Sequence, residues 1–300
     1  MVVNLLRNQV VSLTGLCMHY TMSLFISSLN SGSNGNCYYV GNHTEAVLID
    51  AGLSCKETEK RFDRLNLDIK KVKAIFISHE HIDHISGLEA IARKYKMPVY
   101  INQKTLANSG LKLDASLIND FDANTEIKVG KLSVLAFPKF HDAADAHSFV
   151  VKSGTITIGV FTDIGSVCKQ LIHHFRQCNA AFLEANYDEE MLQNGTYPAY
   201  LKKRISGKHG HLSNRQALEL MQKHKPPFMT HLFLAHLSKE NNHPDLVREL
   251  FKQHASATNI EIAGRYNETA VFQIYPSART RIKIPVFPSQ LNQLSLFESY

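Results

Sequence analysis

The stretch that decides the fold of this chain reads Ser78-His79-Glu80-His81-Ile82-Asp83-His84. Three imidazoles and an aspartate carboxylate occur here directly after the mainly apolar run Val72–Ile77. We expect that run to form a buried strand, which would deliver the cluster to the edge of a sheet. Imidazole and carboxylate groups are the ligands that borderline divalent metals such as zinc prefer. The stretch therefore predicts a metal site.

The spacing within this cluster suits two metals better than one. On an extended segment, His79 and His81 point the same way, because side chains alternate with period two. Ile82 is then expected to face the protein, while Asp83 and His84 begin a helix. Each pair would bind its own ion. The alternative is a histidine-rich surface turn, since the chain contains 16 His in 300 residues.

Composition is that of an ordinary globular chain. With 44% hydrophobic residues among 300, the chain can form one large domain or two small ones. No apolar run approaches the ~20 residues that span a bilayer, so we expect no membrane segment. The five cysteines are odd in number and include no Cys-x-x-Cys, which favours a reducing cytoplasm over a disulfide framework or a thiolate zinc site. The net charge of +6 favours anionic partners.

The two ends of the chain differ in pattern from the middle. In residues 1–21, polar residues interrupt two apolar runs, without a basic start or a small-residue cleavage site. We expect a weakly ordered extension there, with a signal peptide or translation from upstream of a start at Met22 as alternatives. Residues 277–300 lose the periodic pattern and include Pro285 and Pro288, a composition that predicts an extended tail. The main domain is predicted over 22–276.

From Leu24 onward, short strands alternate with helices, and the second half repeats much of the order of the first. This order predicts an α/β (α+β) chain in which two sheets pack face to face with helices outside. Because sites are usually built on loops at the end of a rigid sheet, polar residues that follow strands are the candidates. Five such positions occur in the sequence: Asp50, His79, His141, Asp163 and His236.

Taken together, these residues resemble the metallo-β-lactamase fold superfamily over about Met22 to Tyr275. His79-x-His81-x-Asp83-His84 matches the signature of that superfamily, and the strand-end residues match its further positions in order. The resemblance implies a four-layer αββα sandwich that holds two divalent metals. Zinc fits the ligands, and manganese is the alternative for a nuclease.

The resemblance also implies how the ligands divide between the metals. The first metal would be held by His79, His81 and His141, and the second by Asp83, His84 and His236. Asp163 would bridge both through its carboxylate, and Asp50 would orient the histidine loop. A metal-bridging hydroxide would be the nucleophile, with Asp83 orienting it.

His147 competes with His141 for the place at the first metal, since it lies six residues later. The sequence His141-Asp142-Ala143 after a strand fits the family pattern better. We therefore expect His141 to bind the metal and His147 to line the pocket or cap the next strand.

Within the superfamily, the closer resemblance is to the bacterial YycJ/WalJ-like group, which implies a nuclease. No insert of the size carried by the RNA-processing β-CASP nucleases separates Asp163 from His236. The stretches that support the group are Ser31–Asn36, His141–Asp145, Glu184–Asp188 and Gly210–Asn214.

Several residues outside the ligand set are candidates for contact with a phosphate. Ser213 or Asn214 would cap a helix and present free backbone N–H groups, and His211 would donate a proton to the leaving oxygen or bind the phosphate. Asn186 at a strand end and Lys208 in a basic run are further candidates for substrate contact. A plain helix cap and a solvated basic face are the alternatives.

The tail ends in Gln-Leu-Ser-Leu-Phe before the last three residues. This sequence resembles the short peptide by which bacterial replication and repair proteins bind the DNA sliding clamp. Gln293 would supply hydrogen bonds, and Leu294, Leu296 and Phe297 would fill apolar pockets. The alternative is a terminal segment that folds back onto the domain.

The sequence therefore predicts a cytoplasmic two-metal phosphodiesterase, and in particular a DNA exonuclease in repair or replication. One alternative on the same fold is a hydrolase of a small ester, thioester or lactone. A second alternative is a metal-stabilised, clamp-binding adaptor without catalysis.

Overall fold

A computed structural model describes residues 23–276 of the chain. The predicted extension over 1–21 and the tail over 277–300 lie outside the described residues and stay predictions. The same holds for the four clamp-binding candidates, Gln293, Leu294, Leu296 and Phe297. No helix within 23–276 is long and apolar enough to cross a membrane.

The first half of the domain builds a seven-stranded sheet. Its strands are β1 (Leu24–Asn30), β2 (Cys37–Gly41), β3 (Ala46–Ile49), β4 (Val72–Phe76), β5 (Val99–Tyr100) and β6 (Ile118–Asn119), with β14 (Phe272–Ile274) beside β1 at one edge. Its helices are α1 (Cys55–Arg64), α2 (Ile82–Ile85), α3 (Leu88–Tyr95) and α4 (Gln103–Ser109), with short 3-10 turns at Ile69–Lys71 and Ala115–Leu117.

The second half builds another seven-stranded sheet, in the order β13-β12-β11-β10-β9-β8-β7. Its strands are β7 (Glu126–Val129), β8 (Leu132–Pro138), β9 (His147–Ser153), β10 (Ile156–Phe161), β11 (Ala180–Glu184), β12 (His231–Ala235) and β13 (Asn259–Ile262). Its helices are α5 (Lys169–Phe175), α6 (Glu189–Asn194), α7 (Ala199–Ile205), α8 (Asn214–His224) and α9 (Pro244–Lys252).

Three apolar clusters hold the layers together. The first lies between the sheets and joins Val47 and Phe76 of the first sheet to Phe149, Phe182 and Phe233 of the second. The second cluster packs α5, α8 and α9 on the outer face of the second sheet, and the third packs α1 and α3 on the outer face of the first. Each side chain of this size contributes roughly 1.5–3 kcal/mol when fully buried. The predicted four-layer αββα sandwich is confirmed.

The parallel strands of each sheet end at one edge of the sandwich. In the first sheet β3 pairs in parallel with β4, and in the second β10, β11 and β12 are parallel neighbours. Asp50 directly follows β3, Asp163 lies two residues beyond the end of β10, and His236 directly follows β12. All three adopt left-handed backbone angles, with φ of 62°, 55° and 56°. A non-glycine residue in this region costs roughly 1–3 kcal/mol and occurs preferentially at functional sites. This edge is therefore where a site is expected.

Candidate metal centre

The histidine loop follows β4 and is fixed at both ends by one buried carboxylate. Asp50 accepts hydrogen bonds from the backbone N–H of Ser78 at 2.8 Å and from its hydroxyl at 2.9 Å. Oδ2 of Asp50 also lies 2.7 Å from Nδ1 of His84, at the far end of the loop. These contacts are those of a residue that orients the loop, the role predicted for Asp50.

The loop is seated against a glycine. A Cβ atom on Gly52 would lie 1.7 Å from the carbonyl oxygen of Asp83, a contact that no side chain could adopt. The same carbonyl accepts a hydrogen bond from the backbone N–H of Asn36 at 2.7 Å. The absence of a side chain at position 52 thus allows the loop to approach the first sheet closely.

The structure brings His79, His81 and His141 together as the sequence predicts. Their ligand atoms lie within 4.8 Å of one another, and Nε2 of His79 is 3.0 Å from Nδ1 of His81. The opposite nitrogen of His79 is held by the Ser78 hydroxyl at 2.8 Å, and that of His141 by the carbonyl of Gly210 at 3.1 Å. Fixing the far nitrogen of each ring sets which nitrogen faces the centre.

A second group consists of Asp83, His84 and His236, whose ligand atoms also lie within 4.8 Å of one another. Asp163 faces both groups. Its Oδ2 is 3.2 Å from Nε2 of His84, and its Oδ1 is 3.6 Å from Nε2 of His236 and 3.7 Å from Nε2 of His141. Atoms bound to one zinc at about 2.0–2.1 Å lie about 3.3 Å apart in a tetrahedral site, which is close to these separations.

Two buried nitrogens decide whether the residues fit a metal. Nε2 of His141 and Nε2 of His236 are buried and make no hydrogen bond to any described residue. Leaving such an atom unpaired costs about 1–3 kcal/mol, so unpaired buried atoms call for an explanation. Both atoms point toward carboxylate oxygens at more than hydrogen-bond distance, the arrangement that a cation between them would require. The residues fit two divalent metals, and their individual assignment as ligands stays a prediction.

The two groups differ in charge. Burial, helped by His84, lowers the pKa of His79 well below its ordinary value, and burial lowers the pKa of His141 to about 3. Burial also acts to lower the pKa of His236, but the facing carboxylates raise it to about 10. His79 and His141 of the first group are therefore neutral imidazoles, whereas the second group balances imidazolium against carboxylates.

Glu184 is a site residue that sequence reasoning missed. This fully buried carboxylate accepts hydrogen bonds from the backbone N–H groups of Ile164 at 2.6 Å and Leu212 at 3.1 Å. Its Oε1 lies 2.7 Å from Nδ1 of His211 and 3.1 Å from Nδ1 of His236. A signal was present, since Glu184 ends the buried apolar strand β11 much as Asp163 follows β10.

His211 lines a cavity of about 330 Å³ that opens onto the predicted ligands. Burial acts to raise the pKa of Glu184, but His211 and the hydrogen bonds of both imidazoles lower it to about 2. Glu184 is thus an anion that accepts a hydrogen bond from the Nδ1–H group of His211. This contact leaves Nε2 as the ring nitrogen of His211 that is free to meet a substrate.

The prediction that Ile82 faces the protein is wrong. Its side chain is 72% exposed and lines the mouth of the same cavity. The reason is that α2 begins at Ile82, which ends the extended alternation that places His79 and His81 on one side.

His147 lies apart from both groups. Its Nδ1 is 2.9 Å from the carbonyl oxygen of Asp145, and its ring packs edge-on against Phe121 at 5.2 Å between centroids. It begins β9, where its backbone N–H donates to the carbonyl of Ser78 at 3.0 Å. The geometry thus brings His141, and not His147, to His79 and His81.

The structure does not bring Ser213 or Asn214 to the cavity. The Ser213 hydroxyl accepts from the backbone N–H of Gln216 at 3.1 Å and lies 2.9 Å from Oε1 of Glu189, which makes it a buried cap of α8. The side chain of Asn214 is buried and pairs with Asn242 at 2.9 and 3.0 Å. Both side chains are engaged within the protein, so the plain helix cap describes them better than a phosphate contact does.

The two other substrate candidates differ from each other. Asn186 is buried and donates to the backbone carbonyl of His236 at 2.7 Å, so it supports a predicted ligand instead of lining the cavity. Lys208 is exposed, and its Nζ lies 4.7 Å above the ring of Phe140. Arg204, from the same basic run, does line the cavity and pairs with Asp142 at 2.5 Å.

Comparison with known proteins agrees with this geometry. Residues 45–236 match the family described as beta-lactamase superfamily domain. Exodeoxyribonuclease YycJ of Bacillus anthracis is 38% identical over 231 residues, which cover 76% of this chain and 87% of that relative. The chain belongs to the metallo-β-lactamase superfamily, in its YycJ/WalJ group.

Other members of the superfamily extend this agreement. Exodeoxyribonuclease WalJ of Streptococcus pneumoniae is 35% identical over 225 residues, 73% of this chain and 84% of that relative. The crystal structure of the metallo-β-lactamase fold protein YhfI from Bacillus subtilis has a TM-score of 0.65 at 15% identity, over 84% of this chain and 99% of YhfI. The latter likeness is one of fold. This metallo-β-lactamase superfamily member is a metal-dependent hydrolase.

Proposed function

We propose that this hydrolase is a two-metal phosphodiesterase that degrades DNA as an exonuclease. The observation that carries the proposal is the pair of possible ligand groups, both faced by Asp163, that line an open cavity. Two adjacent metals suit an in-line displacement at phosphorus. The similarity to relatives named exodeoxyribonuclease supports DNA as the substrate.

Asp83 is the group that orients the attacking water. Bound metals supply Lewis acidity and activate water near neutral pH. Burial acts to raise the pKa of Asp83, but His84 and His236 lower it to about 2, so the carboxylate is ionised in the working range. Its Oδ2 accepts a hydrogen bond from Nδ2 of Asn36 at 3.0 Å, which fixes its direction toward the cavity.

His211 is the group that gives a proton to the leaving oxygen. Glu184 accepts a hydrogen bond from Nδ1 of the ring, so Nε2 is the nitrogen left to transfer the proton. The side chain is 21% exposed, which allows contact with a bound phosphodiester. Arg204 at the cavity wall and the exposed Lys208 beside Phe140 attract the phosphates of the strand.

The small-ester alternative has one observation in its favour. A cavity of about 330 Å³ falls within the range of about 300–1,000 Å³ that binds small ligands. The adaptor alternative has none among the described residues, since a purely structural site has no need for ligands that open onto a cavity.

The test incubates 5′-labelled and 3′-labelled duplex DNA, single-stranded DNA and RNA with the protein under zinc or manganese. We expect stepwise release of nucleotides from DNA, and loss of at least about a hundredfold in rate for Asp83→Ala. The matched control is Asp122→Ala, which removes an exposed aspartate outside the cavity.

Equal cleavage by wild type and Asp83→Ala would indicate a contaminating nuclease and would contradict the proposed mechanism. Turnover of esters, thioesters or lactones without any cleavage of DNA would favour the small-molecule alternative. The two metals are compared in the same assay, with zinc as the expected cofactor.

We further propose a role in DNA repair or replication in the cytoplasm, with the tail from Gln293 to Phe297 as a ligand of the sliding clamp. Such a tail would act as a short linear peptide on an extended arm. Immobilised clamp should retain the full chain but not a variant that lacks residues 293–300. Equal retention of both would remove the clamp from the proposal.

A further inference from the structure

A second cavity, of about 290 Å³, lies beside the metal centre. One wall is Leu237, which directly follows the predicted ligand His236. The opposite wall is the loop after β13, which contributes Arg265 and Tyr266, and α9 contributes Pro244 at its start. The second cavity is therefore one residue away from the metal centre along the chain.

Arg265 connects the second cavity to the first. Its guanidinium donates to the backbone carbonyl of Leu237 at 3.0 Å, to the Ser33 hydroxyl at 3.1 Å and to Oδ1 of Asn34 at 3.2 Å. Ser33 lines the cavity of the metal centre. The half-buried guanidinium thus lies at the boundary between the two cavities.

The charge of Arg265 is not balanced by a carboxylate. Within residues 23–276, no aspartate or glutamate lies within ion-pair distance of its guanidinium, whose partners are neutral oxygens. A guanidinium is well suited to bind a phosphate, because its planar set of N–H groups matches the phosphate oxygens. A phosphodiester that passes from one cavity to the other would supply the missing negative charge.

Tyr266 presents an aromatic ring at the second cavity. The side chain is 62% exposed, although its backbone carbonyl is anchored by a hydrogen bond from Nη2 of Arg61 at 3.0 Å. The carbonyl of Arg265 is likewise anchored by Nδ2 of Asn34 at 2.9 Å. A ring carried on a fixed backbone can stack on a nucleobase with little loss of backbone freedom.

The second cavity differs in the charge of its lining from a larger cavity on the same half of the domain. A cavity of about 690 Å³ between α6, α8 and α9 is lined by one guanidinium, of Arg215, and by four carboxylates, of Asp188, Glu189, Glu190 and Glu249. The described lining of the second cavity contains Lys239 and Arg265 and no carboxylate. A polyanion would be repelled from the larger cavity and attracted to the smaller one.

We propose that the cavity at Tyr266 binds the nucleobase of a nucleotide adjacent to the scissile phosphodiester, with Arg265 on the neighbouring phosphate. This inference rests on the proposed function, because it requires a DNA strand in the metal centre. Stacking on an aromatic ring accepts any base, so the subsite would strengthen binding without imposing a sequence preference.

The experiment is a double-mutant cycle in which one change is made in the protein and the other in the substrate. Wild type and Tyr266→Ala, both loaded with metal, digest single-stranded oligonucleotides that carry an abasic residue at successive positions from the end. At the position next to the cleaved bond, the missing base should lower kcat/KM of wild type about tenfold, within the range of one lost base–aromatic stack. The same missing base should cost Tyr266→Ala less than about twofold, because the stack is already absent.

Two further variants sharpen the cycle. Tyr266→Phe keeps the ring and should respond to the abasic residue as wild type does. Tyr275→Ala also removes an exposed tyrosine, but it follows β14 at the end of β1 remote from the metal centre, and it should respond as wild type does. An equal penalty from the abasic residue in wild type and Tyr266→Ala would overturn the inference.

A wrong proposed function and a wrong base subsite would give different results in these assays. If loaded wild type hydrolyses the small diester bis(p-nitrophenyl) phosphate but no oligonucleotide, the DNA substrate is wrong and the base subsite falls with it. If oligonucleotides are digested with no abasic penalty at any position, the function stands and the subsite alone is wrong.

Discussion

The two halves of the molecule contribute to one centre in different ways. The first sheet supplies its four predicted ligands from one loop, His79–His84, which is held by the single carboxylate of Asp50. The second sheet supplies Asp163, Glu184 and His236 from the ends of three parallel strands. One half of the centre is therefore specified locally, and the other by strand pairing.

This difference has a consequence for how the centre is assembled. The register that pairs Phe161 with Leu183 and Glu184 with Ala235 sets the side chains of the second half. A slip of one residue in a strand would turn its side chains to the other face. The second half thus depends on packing across the whole sheet, whereas the first half depends on a few contacts around one loop.

The largest effect is expected where the two halves meet. Asp163→Asn removes the charge that faces both ligand groups, so the content of bound metal should fall from two ions per chain toward one or fewer. The proposed hydrolysis of DNA should fall at least about a thousandfold, since two metals at this centre would act as a unit.

Metal content by mass spectrometry and initial rates of digestion measure both consequences of Asp163→Asn. Asp122→Asn, at an exposed position, is the matched control. Two retained metals in Asp163→Asn would show that the halves bind their ions independently.

A somewhat smaller effect is expected from His141→Ala, which removes one predicted ligand of the first group. The affinity for one metal should drop by at least about a hundredfold, because Nε2 of His141 has no other described partner. His147→Ala, six residues away, should keep both metals, because its ring contacts Phe121 and not the ligands. Competition titration with a metal chelator measures both, and the reverse result would exchange the roles of the two histidines.

A third prediction concerns the carboxylate that organises the second half. Glu184→Gln keeps the shape of the side chain but removes the charge that fixes Nδ1 of His211 and of His236. Loss of such an outer partner lowers metal affinity or activity by about 10- to 100-fold.

The measurement for Glu184→Gln is the pH profile of kcat for the loaded enzyme. The variant should move the alkaline limb of the profile, on which a general acid loses its proton, to lower pH, because the carboxylate that accepts from Nδ1 has lost its charge. A uniform loss of rate with an unchanged profile would indicate a purely structural role for Glu184.

The smallest effect is expected at the rim of the second half. Lys208→Gln should weaken binding to single-stranded DNA a few-fold and reduce the slope of log affinity against log salt concentration by about 0.7–1. Lys112→Gln removes an exposed lysine of the first half and should leave the slope unchanged. Fluorescence anisotropy at several salt concentrations measures the slopes, and equal slopes for both variants would mean that DNA does not cross this rim.

The same contrast explains what the sequence could predict. The cluster His79–His84 is contiguous, so its chemistry is visible without any knowledge of the fold. The positions of Asp163 and His236 were predictable because each lies within two residues of the end of an apolar strand and matches a family position. The αββα sandwich followed from the order of strands and helices, which the two sheets confirm.

The rest required three-dimensional information. Glu184 was missed because its partners, Leu212 and His236, come from other segments, and a strand-end glutamate alone does not reveal them. Ser213 caps its helix as predicted. Its hydroxyl contacts Glu189 and does not line the cavity, and this packing cannot be read from the sequence. The orientation of Ile82 depended on the residue at which a short helix begins.

The left-handed backbone at Asp50, Asp163 and His236 has a consequence for how this protein can change. At each position the local backbone energy favours glycine, so the residue type needed for the site opposes the preference of the chain. Substitution by glycine there would relieve about 1–3 kcal/mol of local backbone strain while removing the side chains that the site requires. A screen that selects for stability alone would therefore be expected to inactivate the enzyme at these three positions. The fold thus contains a trade-off between stability and activity there.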